Sequence, residues 1–159
     1  MKVSATLCNH VEALNNLLYV SGGGIDRSIV PPGAPSPYGV TLGLGIIITV
    51  PWQQTNQQHK LNIGLVDADG QPVLVPTGPD VISPLKVEAE FNVGRPPGLA
   101  TGEDQNVAMA VNFPGIPLPS LGRYRFLVEL DGSLEEEISY QVVSLNQTMG
   151  IGPSALPRF

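Results

Sequence analysis

The chain has 159 residues, enough for a single domain that buries roughly 68–70% of its unfolded surface without disulfide or metal staples. Eight Lys and Arg stand against 14 Asp and Glu, a net charge of −6. This argues against a nucleic-acid binder, whose affinity comes from cations neutralising phosphates, and no basic amphipathic helix suits a membrane surface. Only 14% of residues are charged, against an average of about 25%, so neutral polar groups wet the surface and copies of the chain repel one another weakly.

Taken in chain order, the dominant period is two. "KVSATLCN" sends Val3, Ala5 and Leu7 one way and Lys2, Ser4, Thr6 and Cys8 the other. "VEALNNLL" is the single helix candidate, a turn or two with Val11, Leu14 and Leu18 on one face. "LLYV" then opens a strand that runs into Gly22, Gly23 and Gly24. A phosphate-cradling loop needs a Lys, a Ser or Thr and a following helix. Here Ile25, Asp26 and Arg27 follow, then Val30 and two prolines, so the glycines read as a bulge or bend.

"VPPGAPSPYG" is a proline-rich connection, and "YGVTLGLGIIITVPW" is apolar on both faces, as suits a central strand with its second side covered. "KLNIGLVD" points Leu61, Ile63 and Leu65 inward, and "DADGQ" is a turn in which Asp-Gly supplies positive φ angles. "LKVEAEFNV" alternates over nine positions, with Leu85, Val87, Ala89, Phe91 and Val93 on one face. "NVAMAVNF" continues the pattern. "FPGIPLPSLG" is a loop or edge segment, because proline cannot donate to a ladder. "RYRFLVEL" turns Tyr124, Phe126, Val128 and Leu130 inward. "DGS" is a second hairpin turn, and "EISYQV" adds Ile138, Tyr140 and Val142.

The pattern predicts an all-β antiparallel β-sandwich of about 7–9 strands, Ig-like or jelly-roll. It occupies residues 1–143, with 144–159 as a C-terminal arm. Tyr124, two residues after Gly122 and opening a strand, resembles the corner tyrosine of Greek-key sandwiches.

The chemistry-bearing residues are sparse. Cys8 is the one cysteine, which excludes an intrachain disulfide. Cys8 and His10 could share a strand face, but His59 is the only other histidine, too few ligands for a zinc site or partners for a nucleophilic pair. "DADG" fails as a calcium loop, with Gln71 and Gly78 at ligand positions. Asp67, Asp69, Asp104 and Asp131 could still gather at one end of a sandwich, and whether they hold calcium stays open. The carboxylates of "LEEEI" read as a solvated strand guarding an edge. Trp52, before the polar run "QQTNQQH", either closes the core or anchors a partner. The binding candidates are Trp52, Tyr38, Arg27 and Phe159. No catalytic residue, metal or cofactor is expected.

"LLYVSGGGID", "ITVPWQQTNQQHKLNIGLVDADGQPV" and "FNVGRPPGLATGEDQNVAMAVNFPGIPLPSLGRYRFLVELDG" together resemble a group of small, uncharacterised bacterial proteins, common in actinobacteria, classed as a domain of unknown function. The likeness spans roughly Leu17 to Val143. It implies a stand-alone bacterial β-sandwich and carries over no activity.

The N-terminus lacks the apolar region and small-residue cleavage site of a signal peptide, and Leu7 before Cys8 does not suit a lipoprotein. The longest apolar run is too short to cross a bilayer as a helix. The expectation is a cytoplasmic, non-catalytic protein acting through protein contacts, a homo-oligomer or larger assembly with a structural or scaffold role. The alternative is a small-molecule or carbohydrate-binding module around Trp52 and Tyr38.

Overall fold

The period-two segments sort into paired sheets in the computed structural model, which describes residues 1–98 and 100–145. The strands in chain order are β1 (Lys2–Cys8), β2 (His10–Leu14), β3 (Leu17–Ser21), β4 (Arg27–Val30), β5 (Tyr38–Val50) and β6 (Gln58–Asp67). They continue with β7 (Leu74–Gly78), β8 (Val81–Pro84), β9 (Lys86–Asn92), β10 (Gln105–Leu118), β11 (Gly122–Leu130) and β12 (Ser133–Ser144). A short 3-10 turn, Trp52–Gln54, lies between β5 and β6.

One sheet has the order β1-β5-β10 and the other β4-β12-β11-β6-β9, while β2-β3 and β7-β8 form separate hairpins. All pairings are antiparallel except β4 with β12. The first sheet matches strands A, B and E of an immunoglobulin-like sandwich, and the second matches G, F, C and C′ with β4 added beside G. The connectivity is therefore Ig-like rather than jelly-roll. The fourth strand that closes the smaller sheet in constant-type domains has no counterpart among the described residues, so β10 is an edge.

Inward residues of both sheets make the core. Leu44, Ile46 and Ile48 of β5 face Leu61 and Ile63 of β6 and Phe126 and Val128 of β11, all essentially without exposure. Tyr124 donates its hydroxyl proton to Ser120 O at 2.7 Å and accepts from Ser120 N at 3.2 Å. That is the corner bond expected of Tyr124, and it pins the crossing from β10 to β11.

The helix expected over "VEALNNLL" is instead hairpin β2-β3. Asn15 and Asn16 take φ of 50° and 59°, the left-handed conformation that asparagine tolerates and a two-residue hairpin turn demands. Tertiary packing decides the outcome. The hairpin lies over β5, where a Cβ on Gly43 would come within 2.8 Å of Cys8 Sγ and 3.1 Å of Val11 Cγ1. The cover predicted for the second face of β5 is thus this hairpin. Asn112 of β10 fastens it, accepting from Val11 N at 3.1 Å and donating to Val11 O at 2.8 Å.

Past Ser21 the glycines bend the chain, as expected. Gly24 N and Ile25 N both donate to Leu7 O, at 2.9 and 3.2 Å, and the chain crosses to the other sheet as β4. The proline-rich "FPGIPL" belongs to edge strand β10, with a register shift between Phe113 and Ile116 that accommodates Pro114 and Gly115.

Candidate functional site

The described binding candidates Trp52, Tyr38 and Arg27 do not converge, whereas His59 and Asp131 do meet. Trp52 and Tyr38 stand beyond and at opposite ends of β5, whose 13 residues span about 40 Å, so they share no pocket. Tyr38 is half-buried and packs against the core. Arg27 begins β4 and is held by its neighbour, with Nε and Nη2 donating to the two Asp26 carboxylate oxygens at 2.9 and 2.7 Å. Phe159 lies outside the described residues, as does the arm from residue 146 onward.

Around Trp52 the sequence builds a latch. Pro51 leads into the 3-10 turn, and Thr55 closes it by donating its hydroxyl to Trp52 O at 2.7 Å. Arg95, in the connection after β9, donates Nε to Thr55 Oγ1 at 2.6 Å and Nη2 to Trp52 O at 3.0 Å. Its guanidinium lies 4.1 Å from the indole centroid, a cation–π stack. One face of Trp52 is therefore occupied by the chain itself.

Next to the latch, His59 is only 3% exposed. Its Nδ1 meets Asp131 Oδ2 at 2.8 Å and its Nε2 meets Gln54 O at 2.7 Å. Asp131 also accepts from Lys60 N at 2.8 Å. Burial pushes the Asp131 carboxyl up, but the Lys60 amide and the His59 ring outweigh it and hold the group below the usual carboxylate range. The cluster ties the start of β6 to the β11–β12 turn.

The loop aspartates separate. Asp67 ends β6, accepting from Asp69 N and Gln71 N at 2.9 and 2.8 Å, whereas Asp131 sits beside the start of that ten-residue strand. Cys8 is buried at the end of β1, its thiol pushed up by that burial, and His10 belongs to β2, where it faces Glu12 at 3.3 Å. Among the described residues, no group of three or more His, Cys, Asp or Glu is placed to hold a metal.

What sequence reasoning missed is a cleft of about 850 Å³. Its walls come from hairpin β7-β8 (Val75, Pro76, Thr77 and Ser83), from the start of β9 and from the bulged part of β10 around Phe113 and Ile116. It forms where β9 and β10, the edges of the two sheets, face open space rather than a further strand. Of its three segments, "VLVPTG" and "ISPL" carry no clear alternation and "FPGIPL" reads only as a loop or edge segment.

Two hairpins also carry exposed apolar side chains. On the outward face of β2-β3, Leu14 (59% exposed) pairs across from Leu17 (58%), with Tyr19 (53%) on the same face. Leu74, Val81 and Ile82 are exposed on β7-β8.

The class defined by these features is a small Ig-like β-sandwich with an open sheet edge, an apolar cleft beside it and an apolar hairpin on its flank. The chain belongs to the family of unknown function DUF6941, whose model matches residues 3–143. No curated protein matches it. No helix among the described residues is long and apolar enough to cross a membrane.

Proposed function

We propose that the chain is a non-catalytic β-sandwich that works through protein contacts, assembling with copies of itself in a structural or scaffold role. The observation that carries this reading is the outward face of β2-β3, where Leu14, Leu17 and Tyr19 lie side by side and more than half exposed. Contiguous apolar surface of this kind marks contact sites, and a two-fold axis through such a patch sets the same residues against one another. A single carboxylate interrupts the face, Glu12, which stands across from Tyr19 and meets His10 Nε2 at 3.3 Å. A buried, unpaired Cys8 suits a reducing compartment, which favours a cytoplasmic setting.

The carbohydrate reading around Trp52 has less support, since Arg95 already takes one face of the ring. Light scattering after size exclusion tests the assembly reading. The full chain should give a discrete mass above that of one 16.8 kDa copy, and Leu17→Asp should reduce it to the monomer. Removing residues 146–159 separates this route from arm exchange, because a hairpin-mediated assembly survives the truncation. A monomeric full-length chain at micromolar concentration would end the proposal.

A further inference from the structure

We propose that the cleft between hairpin β7-β8, the start of β9 and the bulged part of β10 binds a neutral, largely apolar small molecule carrying one hydrogen-bond acceptor. Its volume of about 850 Å³ falls among small-molecule sites, which run from roughly 300 to 1,000 Å³ and are lined mainly by apolar side chains with a few placed polar groups.

The lining decides between kinds of occupant. An added strand needs a row of backbone donors and acceptors along the edge it joins. Pro114 and Pro117 on β10 and Pro76 and Pro84 on the facing hairpin have no N–H to give, and the register shift at Pro114–Gly115 breaks the edge further. A peptide strand is therefore poorly matched, whereas the proline rings and Val75 offer apolar surface without unmet donors over a floor of the buried Phe113 and Ile116.

Charge decides between an anionic and a neutral ligand. Among the described residues Lys86 is the only charged one of the lining, and its ammonium lies 2.6 Å from Glu88 Oε1, which also meets Lys60 at 3.2 Å. That cation is already paired on the outer face of β9. The polar feature left is a hydroxyl pair, in which Ser83 donates to Thr77 Oγ1 at 3.0 Å. The proton of Thr77 is then free to point at an acceptor, which is why one acceptor, such as a carbonyl or ether oxygen, completes the ligand class.

The test is a fluorescence titration of the full chain with Nile red, a neutral apolar dye bearing a carbonyl acceptor. The expected result is saturable binding at one site per chain. Thr77→Trp and Ser83→Trp, which fill the cleft from exposed and half-buried positions, should each weaken it at least tenfold. Thr77→Val, which removes only the donor, should weaken it roughly three- to tenfold. Leu17→Asp, on the other hairpin, should leave it unchanged, so the site stands or falls independently of the assembly reading. Absence of saturation overturns the proposal, as does equal affinity in Thr77→Val and the two tryptophan variants. So does dye binding that emerges only after residues 146–159 are removed, which assigns the cleft to the chain's own C-terminal segment. An affinity that falls as protein concentration rises assigns it to a second copy.

Discussion

His59 Nδ1 lies 2.8 Å from Asp131 Oδ2, across 72 residues of sequence, and the same ring reaches Gln54 O through Nε2 at 2.7 Å. The Gln54 contact needs a proton on Nε2, because a backbone carbonyl only accepts, and the Asp131 contact needs one on Nδ1 or on the carboxyl, so this buried side chain joins three segments only while its protons are correctly placed. It explains why "QQTNQQH" forms a tight, ordered turn without a charged residue before Lys60.

Asp131 makes that junction pH-dependent. Its carboxyl is held below the usual value of about 3.9, so its stabilisation is complete above that pH and is lost as pH falls through the lower, folded value. The urea midpoint of the natural chain should therefore drop between pH 6 and pH 3 by more than that of Asp131→Asn, which keeps the shape but cannot titrate. Parallel pH profiles for the two proteins would remove Asp131 from the account. Asp131→Ala at pH 7 should cost about 1–3 kcal/mol, since it strips a buried histidine and the Lys60 amide of their acceptor.

Arg95 shields Trp52, the only tryptophan of the chain. Arg95→Ala should shift the emission to the red, raise quenching by acrylamide and cost about 1–2 kcal/mol. Arg95→Lys should recover little of this, because an ammonium lacks the planar fork that bonds Thr55 and Trp52 O together. Emission identical to the natural protein in Arg95→Ala would show that the stack does not persist in solution.

Asn16 protects the open edge of β10. From the β2-β3 turn its Nδ2 donates to Asn106 O at 2.6 Å, and its Oδ1 accepts from Ala108 N at 2.9 Å, so one amide stands where a strand is missing. Asn16→Gly keeps the left-handed turn but loses both bonds, while Asn16→Ala loses the bonds and strains the turn. Thermal melts should rank natural chain, Gly and Ala in descending stability, with Gly about 1 kcal/mol below the natural chain. Both variants should also aggregate faster on heating. A glycine variant as stable as the natural chain would leave only the turn geometry as the reason for Asn16.

Gly43 allows the hairpin to sit on the sheet. A Cβ there meets Cys8 Sγ at 2.8 Å, Asn112 Oδ1 at 3.0 Å and Val11 Cγ1 at 3.1 Å, two of which belong to the packing and clasp of the hairpin. Gly43→Ala should cost about 1–3 kcal/mol through overpacking and speed hydrogen exchange at Val11 N before the rest of the sandwich is affected. Uniform exchange changes across both sheets would mean that the hairpin does not open separately.

The alternation of "RYRFLVEL" and "KLNIGLVD" determined by itself that those residues lie in sheets and which side chains face the core, because side chains alternate with a period of two whatever the partner strand is. The Asp131-Gly132 turn and the Tyr124 corner were legible for the same reason, since their geometry is set within a few residues. Tertiary structure decided what depends on distant pairing: the parallel match of β4 to β12, and the Ig-like order of the sheets. It also decided the hairpin at "VEALNNLL", where helical and strand spacings of Val11 and Leu18 are equally available and the surface over Gly43 and Gly45 selects the strand. The cleft was invisible for a related reason. Its walls come from segments far apart in the chain, and they enclose a volume only once the edges of β9 and β10 are left facing one another without a strand between them.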